Sequence, residues 1–197
     1  MGYVLIISMH ADPAMPPGYS EWGGTHTYMR ELLDCLNEYG IECVLITRRA
    51  MEELPAIEQY HQHCKIYRLQ NGDLAPMDKT KLREYHDDNL LSIEQIVDDL
   101  EEKPMVIHSV YWNSGRIGME LSQKYDIPLV HSVISNSLGR QARGAKEPVS
   151  DRAAYENSNI DELFDEMYNY FENVKIRVRD EKLDNYVAEL RKKANCK

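Results

Sequence analysis

The chain has 197 residues, 43% of them hydrophobic, which suits one domain of ordinary size or one domain with an appendage. Its formal net charge of −10 opposes nucleic-acid binding, which needs basic surface, and its four cysteines are too few and too scattered for a disulfide scaffold. The apolar runs are too short to span a bilayer, and no basic segment precedes the first of them, so we expect a cytoplasmic protein without a membrane span.

The first predicted elements follow the order strand, loop, helix, strand. Residues 3–8, YVLIIS, form a continuous apolar run that is typical of a strand buried on both faces. Apolar residues then recur at helical spacing from residue 24 to 39, and Gly40 stands where a helix commonly ends. Residues 41–49 form the next strand, so the order is that of a right-handed βαβ unit.

The alternation continues along the chain. Strands are predicted at 64–69, 104–108 and 127–135, and helices at 79–102 and 114–125. This pattern favours an α/β fold with an open, doubly wound, mostly parallel, Rossmann-like sheet. After Arg140 the composition becomes polar and then charged and helical, so we divide the chain into a sheet domain at 1–145 and a helical extension at 146–197.

The loop after the first strand, with the sequence PPGYSEWGGTHTYM, is longer than a compact domain requires. Gly23 and Gly24 precede the first helix, where glycines permit close backbone approach and free N–H groups favour an anion. A phosphate-bearing ligand is the functional interpretation, and an ordinary turn with a helix start is the alternative. The pair fits neither a GxGxxG nor a Walker motif.

Two further loops follow apolar strands at the same predicted edge. Tyr111 and Trp112 are placed either to stack on a sugar or a base or to cap the core, and for Trp112 the core is favoured. Arg140 and Arg143, in an acidic protein, suit phosphate recognition, although ordinary solvated charge is the alternative.

Histidines near this edge are candidates for a general base or for polar contacts with a ligand. His108 and His131 lie in apolar strands, where a hydrogen-bonded core histidine is the more common case. The full set is His10, His26, His108 and His131. His61, His63 and Cys64 stand at the entrance of a predicted strand without further ligands nearby in sequence, so we expect no metal site and no cofactor.

Three motifs, in order over residues 3–144, resemble the retaining glycosyltransferases of GT-B architecture. The likeness is to the sucrose-phosphate-synthase and mycothiol-synthase type of the family-four group. The motifs are GYSEWGGTHTYMRELLDCLNEYGIECVLITRR at 18–49, VIHSVYWNSGRIGMELSQKYDIPLVHS at 106–132 and NSLGR at 136–140. Three ordered motifs are more specific than any one of them.

The resemblance implies transfer of a sugar from a nucleotide-sugar donor, with retention, in a cleft between two Rossmann-like domains. It implies that Gly23 and Gly24 lie near the donor phosphates and the acceptor, and that Tyr111 is an acceptor-side aromatic. It implies that Ser137 and Arg140 contact a phosphorylated acceptor or donor. With His26, these are the expected substrate-binding residues, for a nucleotide-sugar and a sugar or sugar-phosphate acceptor.

The chain also departs from this family. Asn136 stands where the family has the histidine that contacts the reacting sugar, and Val110 stands where a second histidine is common. His131 and Asn136 are therefore the catalytic candidates. The family's nucleotide-binding second domain has no counterpart here, so we expect an acceptor-side domain that is inactive without a donor-binding domain or subunit. A non-catalytic ligand-binding or assembly module is the alternative, and another Rossmann-type nucleotide binder is a weaker one.

Overall fold

The computed structural model describes residues 2–16, 18, 23–78 and 81–134, and all that follows on structure concerns these residues. In chain order they form β1 (Tyr3–Ile7), α1 (Gly24–Glu38), β2 (Cys43–Arg48), β3 (Ile57–His61), β4 (Cys64–Leu69), a 3-10 helix (Lys81–Tyr85), α2 (His86–Asp99), β5 (Pro104–Val110), α3 (Trp112–Tyr125) and β6 (Leu129–Ser132).

The described strands form one six-stranded sheet in the order β3-β4-β2-β1-β5-β6. All neighbours are parallel except β3 and β4, which pair antiparallel. The predicted α/β, doubly wound and mostly parallel sheet is confirmed. The predicted helical extension at 146–197 lies outside the described residues.

The central strand β1 is buried on both faces, as its unbroken apolar sequence predicts. Leu5 and Ile7 face the core that α2 and α3 cover, where Ile93 and Ile117 are also buried. Ile6 faces the other core, which α1 covers. Helix α1 therefore lies on one face of the sheet and helices α2 and α3 on the other.

Helix α1 ends in a Schellman motif, in which two N–H groups beyond the helix satisfy its last carbonyls. The Ile41 N–H donates to the Leu36 carbonyl at 2.9 Å and the Gly40 N–H donates to the Asn37 carbonyl at 3.0 Å. This geometry needs a left-handed residue, and Gly40 has φ +65°. The predicted helix end at Gly40 is confirmed for the reason that the sequence suggested.

Strand β3 was missed by sequence analysis because it is a short edge strand with no fully buried position. Its hairpin with β4 carries the two histidines that raised the question of a metal. The His61 side chain instead lies 2.6 Å from a carboxylate oxygen of Asp34, and that of His63 lies 2.6 Å from one of Glu42. Both histidines thus have carboxylate partners on neighbouring elements.

Two boundaries also differ from expectation. The predicted single helix at 79–102 is a 3-10 turn followed by α2, which starts only at His86. Trp112, expected in a loop, is the first residue of α3. The helix starts there because the Tyr111 carbonyl accepts from the N–H groups of Ser114 and Gly115, at 3.1 and 3.2 Å.

Candidate functional site

The candidate site lies where the connections on the two faces of the sheet diverge. From β1 the chain passes through α1 to β2 on one face, whereas α2, on the other face, leads into β5 beside β1. In open α/β sheets this change of direction leaves a crevice at the carboxyl ends of the strands, where ligands bind. Here the crevice is bordered by the residues after β1, the first turn of α1 and the turn from β5 to α3.

Gly23 and Gly24 begin α1 at this crevice. Gly23 precedes the first helical residue with extended backbone (φ −165°), which any residue can adopt. Both glycines are exposed, and a Cβ built on either meets no described atom within 4 Å. Among the described residues, neither backbone angle nor packing therefore requires glycine at Gly23. The space lies at the N-terminus of α1, where the helix dipole and the first N–H groups favour an anionic ligand.

His26 caps the same helix from within. Its N–H donates to the Gly23 carbonyl at 2.9 Å, and the Gly23 N–H donates to the Nδ1 atom of its ring at 3.3 Å. The bond to the ring is one half of a capping box, in which the third helical residue accepts from the N-cap N–H, while the Gly23 carbonyl replaces the side chain that glycine lacks. His26 is 1% exposed, so its side chain supports the turn at Gly23 from inside the protein and does not face solvent.

The three borders of the crevice meet in an aromatic cluster. The His10 ring, from the segment after β1, lies 4.3 Å from the Tyr111 ring and 6.3 Å from the His26 ring, both measured between centroids. Tyr111 is 5% exposed. The structure thus connects two sequence-predicted residues, His26 and Tyr111, through His10, and both side chains are buried. Gly23 and Gly24 adjoin His26 at the start of α1.

Tyr111 has a strained backbone, with φ 72° and ψ 159°. This region is populated almost entirely by glycine and costs about 1–3 kcal/mol for other residues, and such residues concentrate at functional sites. The Tyr111 N–H donates to the Ser132 carbonyl of β6 at 3.0 Å, which holds the turn in place. The turn reverses from strand to helix within one residue and directs the Tyr111 ring toward His10.

A buried ion pair fastens the segment after β1 to the rest of the sheet. The Arg68 guanidinium on β4 donates to Asp12 at 2.5 Å and lies 2.6 Å from a Glu58 oxygen. Burial alone lowers the pKa of Arg68, but hydrogen bonds and charges from Asp12 and Glu58 raise it above its usual value. Arg30 of α1 adds bonds of 3.3 and 3.0 Å to the Pro13 carbonyl.

A second arginine organises the neighbouring loop. Arg48, at the end of β2, donates to the carbonyls of Asn71, Asp73 and Ala75. Burial lowers the pKa of this guanidinium, and nearby Tyr85 and Asp73 act in the opposite direction. Arg48 therefore has a structural role, because its guanidinium holds the loop after β4 in place by donating to backbone carbonyls of that loop.

Two histidine–serine pairs join β5 to β6, one on each face of the sheet. On the α1 face, the His108 Nε2 atom lies 2.8 Å from the Ser132 hydroxyl, which lies 3.2 Å from the Tyr28 hydroxyl. On the α3 face, the His131 Nδ1 atom lies 2.8 Å from the Ser109 hydroxyl. Burial lowers the pKa of His108. Burial, with a smaller effect of His108, lowers the pKa of His131 to about 4.

His131, one catalytic candidate, lies beneath α3. A Cβ on Gly115 would come within 2.9 Å of its ring, so the histidine fills the space that this glycine leaves. The ring thus lies on the opposite face of the sheet from α1 and its glycines. Trp112 is buried in the core beside α1, as the sequence favoured. The remaining candidates, Asn136, Ser137 and Arg140, with Arg143, lie outside the described residues.

Sequence reasoning did not identify Asp12, Arg68 or Tyr28 as parts of this edge. Asp12 and Arg68 are far apart in sequence, and Tyr28 fits the apolar stripe of α1, so no local pattern distinguishes them. Within the described ranges, no group of three or more histidine, cysteine, aspartate or glutamate side chains is placed to hold a metal ion. Nor do these ranges contain a helix of the length and hydrophobicity that a membrane span requires.

Comparison with known proteins identifies relatives of this chain. Residues 23–159 match the family model described as glycosyl transferase 4-like domain. The chain is 34% identical over 134 residues to a D-inositol 3-phosphate glycosyltransferase of Pseudarthrobacter chlorophenolicus and 32% identical over 128 residues to that of Paenarthrobacter aurescens. These alignments cover 66% and 64% of this chain but 31% of either relative, so the chain spans about a third of their length.

Solved structures give the same relationship. Sucrose-phosphate synthase from Thermosynechococcus elongatus superposes with a TM-score of 0.71 at 25% identity, over 81% of this chain and 40% of that one. A shorter chain of the same protein superposes with a TM-score of 0.54 at 18% identity, over 84% of this chain and 98% of that one, and supports the fold alone.

Proposed function

The chain belongs to the glycosyltransferase 4-like family, and on that premise we propose that it forms the acceptor-side half of a sugar-transfer site. The matched region corresponds to the N-terminal domain of the GT-B architecture. In this proposal the sheet domain at 1–145 binds a sugar or sugar-phosphate acceptor. A donor-binding domain or subunit completes the cleft, and the helical extension is a separate segment of a cytoplasmic protein.

The observation that carries the proposal is the open space at Gly23 and Gly24 beside the strained turn at Tyr111. That space borders the N-terminus of α1, and N–H groups at a helix N-terminus stabilise negative charge on a phosphate. The two relatives named above are D-inositol 3-phosphate glycosyltransferases, which supports a phosphorylated polyol as the class of acceptor. Ser137 and Arg140 remain proposed contacts for the same phosphate.

Transfer in this site would proceed with retention from a nucleotide-sugar donor. The chain's own contribution would be to hold the acceptor through its phosphate at the start of α1 and so to position the acceptor hydroxyl for transfer. His131 faces the opposite side of the sheet, so we assign it no contact with the reacting groups. Asn136 is retained as a polar contact to the transferred sugar.

A non-catalytic binding module on the same fold is the second candidate. The substitution of Asn136 for the family's histidine favours it, since an amide can hydrogen-bond a sugar but is not a general base at neutral pH. The two candidates share the acceptor site. They differ in whether a donor-binding partner restores turnover.

Isothermal titration of the chain with ligands of both classes tests the proposal. We expect measurable affinity for D-inositol 3-phosphate or another sugar phosphate, and little or none for UDP-sugars or GDP-sugars, because the donor contacts are assigned to the other half. A sugar-nucleotide hydrolysis and transfer assay accompanies the titration. Turnover by this chain alone, or tight nucleotide-sugar binding without sugar-phosphate binding, would contradict the proposal.

A further inference from the structure

Two cysteines face each other across neighbouring strands of the described sheet. Cys43 begins β2 and Cys64 begins β4, and the two are register partners in this parallel pair. The Cys43 N–H donates to the His63 carbonyl at 2.8 Å, which fixes the register at this point. Both side chains belong to the core beneath α1, at 2% and 0% exposure, and both are free thiols. The sheet therefore holds two thiols side by side on one face.

The spacing of parallel strands brings this pair close to the geometry of a disulfide. Neighbouring strands lie about 4.8 Å apart, and the Cα atoms of a disulfide lie about 4.4–6.8 Å apart. The Cβ atoms of register partners are separated by about the strand spacing, whereas a relaxed disulfide needs about 3.8 Å between them. A bond between Cys43 and Cys64 thus requires only a small inward movement, and it would be strained. Strained disulfides are reduced more easily than relaxed ones, so this bond would be reversible.

The two thiols are not equivalent. The Cys64 thiol donates a hydrogen bond to the Cys43 sulfur, which lowers the pKa of Cys43, although burial acts in the opposite direction. The same bond, together with burial, raises the pKa of Cys64. Cys43 also lines a groove of about 600 Å³ at the amino edge of the sheet, with Glu42, His63 and Lys65 among its other residues. The cysteine that ionises more readily is thus the one that borders a route for small molecules.

We propose that Cys43 and Cys64 form a reversible oxidation site, which peroxides convert to an intramolecular disulfide. The Cys43 thiolate attacks one oxygen of hydrogen peroxide and the O–O bond breaks. The products are a sulfenic acid at Cys43 and hydroxide, which takes up the proton that Cys43 released and becomes water. The Cys64 sulfur then attacks the Cys43 sulfur, the S–O bond breaks, and the Cys64 proton leaves with that oxygen as a second water.

The electrons balance in this scheme. The two sulfur atoms together lose two electrons, and the peroxide gains them. A thiol such as glutathione supplies two electrons in the reverse direction and restores both cysteines. The inference concerns the amino edge of the sheet and is independent of the proposed sugar-transfer function.

Oxidation of the full chain with hydrogen peroxide tests the site. Free thiols are counted after denaturation, and disulfides are located by mass spectrometry of proteolytic fragments. We expect a fragment in which Cys43 and Cys64 are linked, with a loss of about 2 Da, and we expect glutathione to restore both thiols. The matched control is the double variant Cys35→Ser with Cys196→Ser, which keeps only this pair of the four cysteines. It should form the same link to the same extent.

The order of the two steps provides a second measurement, with dimedone as a trap for sulfenic acid. Cys64→Ser should accumulate the dimedone adduct at Cys43, because no thiol is left to displace the sulfenic oxygen. Cys43→Ser should carry no adduct at Cys64. Thermal unfolding of each reduced variant checks that the fold is intact, and the fragment map of the wild-type chain does not depend on the variants.

Three results would overturn the inference. The first is oxidation of the exposed Cys35 while Cys43 and Cys64 both stay reduced, because the peroxide would then be active and the pair inert. The second is a Cys43–Cys64 link that glutathione does not reduce. The third is an adduct at Cys64 in Cys43→Ser without one at Cys43 in Cys64→Ser. None of these results bears on the binding of a sugar phosphate, so the proposed function stands or falls separately.

Discussion

At the scale of single residues, Tyr111 and Gly24 have a geometry that the described fold does not require. Tyr111 occupies a backbone region that favours glycine, with φ 72°, although a glycine there would relieve the strain. Gly24 is the reverse case, because no described atom lies within 4 Å of where its Cβ would be. The fold tolerates a costly tyrosine at one position, no described atom fills the space at the other, and both positions border the same crevice.

The pKa of His131 leads to a prediction at the same scale. The folded pKa of about 4 lies below the ordinary value of 6.5, so the unfolded chain binds the proton more readily. The neutral His131 should therefore contribute its whole share to the free energy of unfolding above about pH 6.5. As the pH decreases toward 4, this contribution should fall by on the order of 3 kcal/mol.

Urea unfolding of wild type and His131→Gln between pH 7 and pH 4 measures this dependence. Glutamine keeps a group that can bond the Ser109 hydroxyl but does not titrate, so its profile should be flatter. His108, whose pKa is also lowered by burial, should leave a residual slope in the variant. Parallel profiles for the two proteins would show that His131 is not the source of the dependence.

At the scale of elements, the segment after β1 is held by partners that are remote in sequence. Asp12 reaches Arg68 on β4 with both side chains almost fully buried, at 1% and 0% exposure. Losing one member of a buried pair leaves the other charge without compensation, which costs more than the pair contributes. This anchor keeps His10 against Tyr111, so it links stability to the shape of the crevice.

A double-mutant cycle tests that anchor. Asp12→Ala alone should lower the free energy of unfolding by about 3 kcal/mol, because Arg68 is then buried with only Glu58 as its carboxylate partner. Asp12→Ala combined with Arg68→Met should cost clearly less than the sum of the single changes, because the uncompensated charge is gone. Equilibrium denaturation in urea provides all the values, and strict additivity would rule out the pair as a coupled unit.

The elements also show what sequence could and could not predict. The buried parallel strands and α1 with its Gly40 end were recognised because each carries a local pattern, a run of apolar residues or a helical stripe with a terminator. Strand β3 was missed because an exposed edge strand has no such pattern. Gly23 and Gly24 were predicted as site residues from their position before a helix, whereas the contacts of Asp12 and Tyr28 depend on partners that only the tertiary structure supplies.

At the scale of the whole molecule, the described sheet places its candidate site at one edge, between β1 and β5. The opposite, amino edge carries a groove lined in part by Gln59, Gln62, His63 and Lys65. The carboxyl edge is preferred because two helices, α1 and α3, begin there and because ligands of open α/β sheets bind there. In the proposed function this edge is one wall of a sugar-transfer cleft, and the chain spans about a third of the length of its named relatives.

The central claim is tested most directly by recording backbone amide chemical shifts while the chain is titrated with a sugar phosphate such as D-inositol 3-phosphate. The account predicts that the largest shifts belong to Gly23, Gly24 and the first turn of α1, with smaller ones at the turn through Tyr111. Shifts confined to the amino-edge groove around His63 and Lys65, or no shifts with any sugar phosphate, would contradict it.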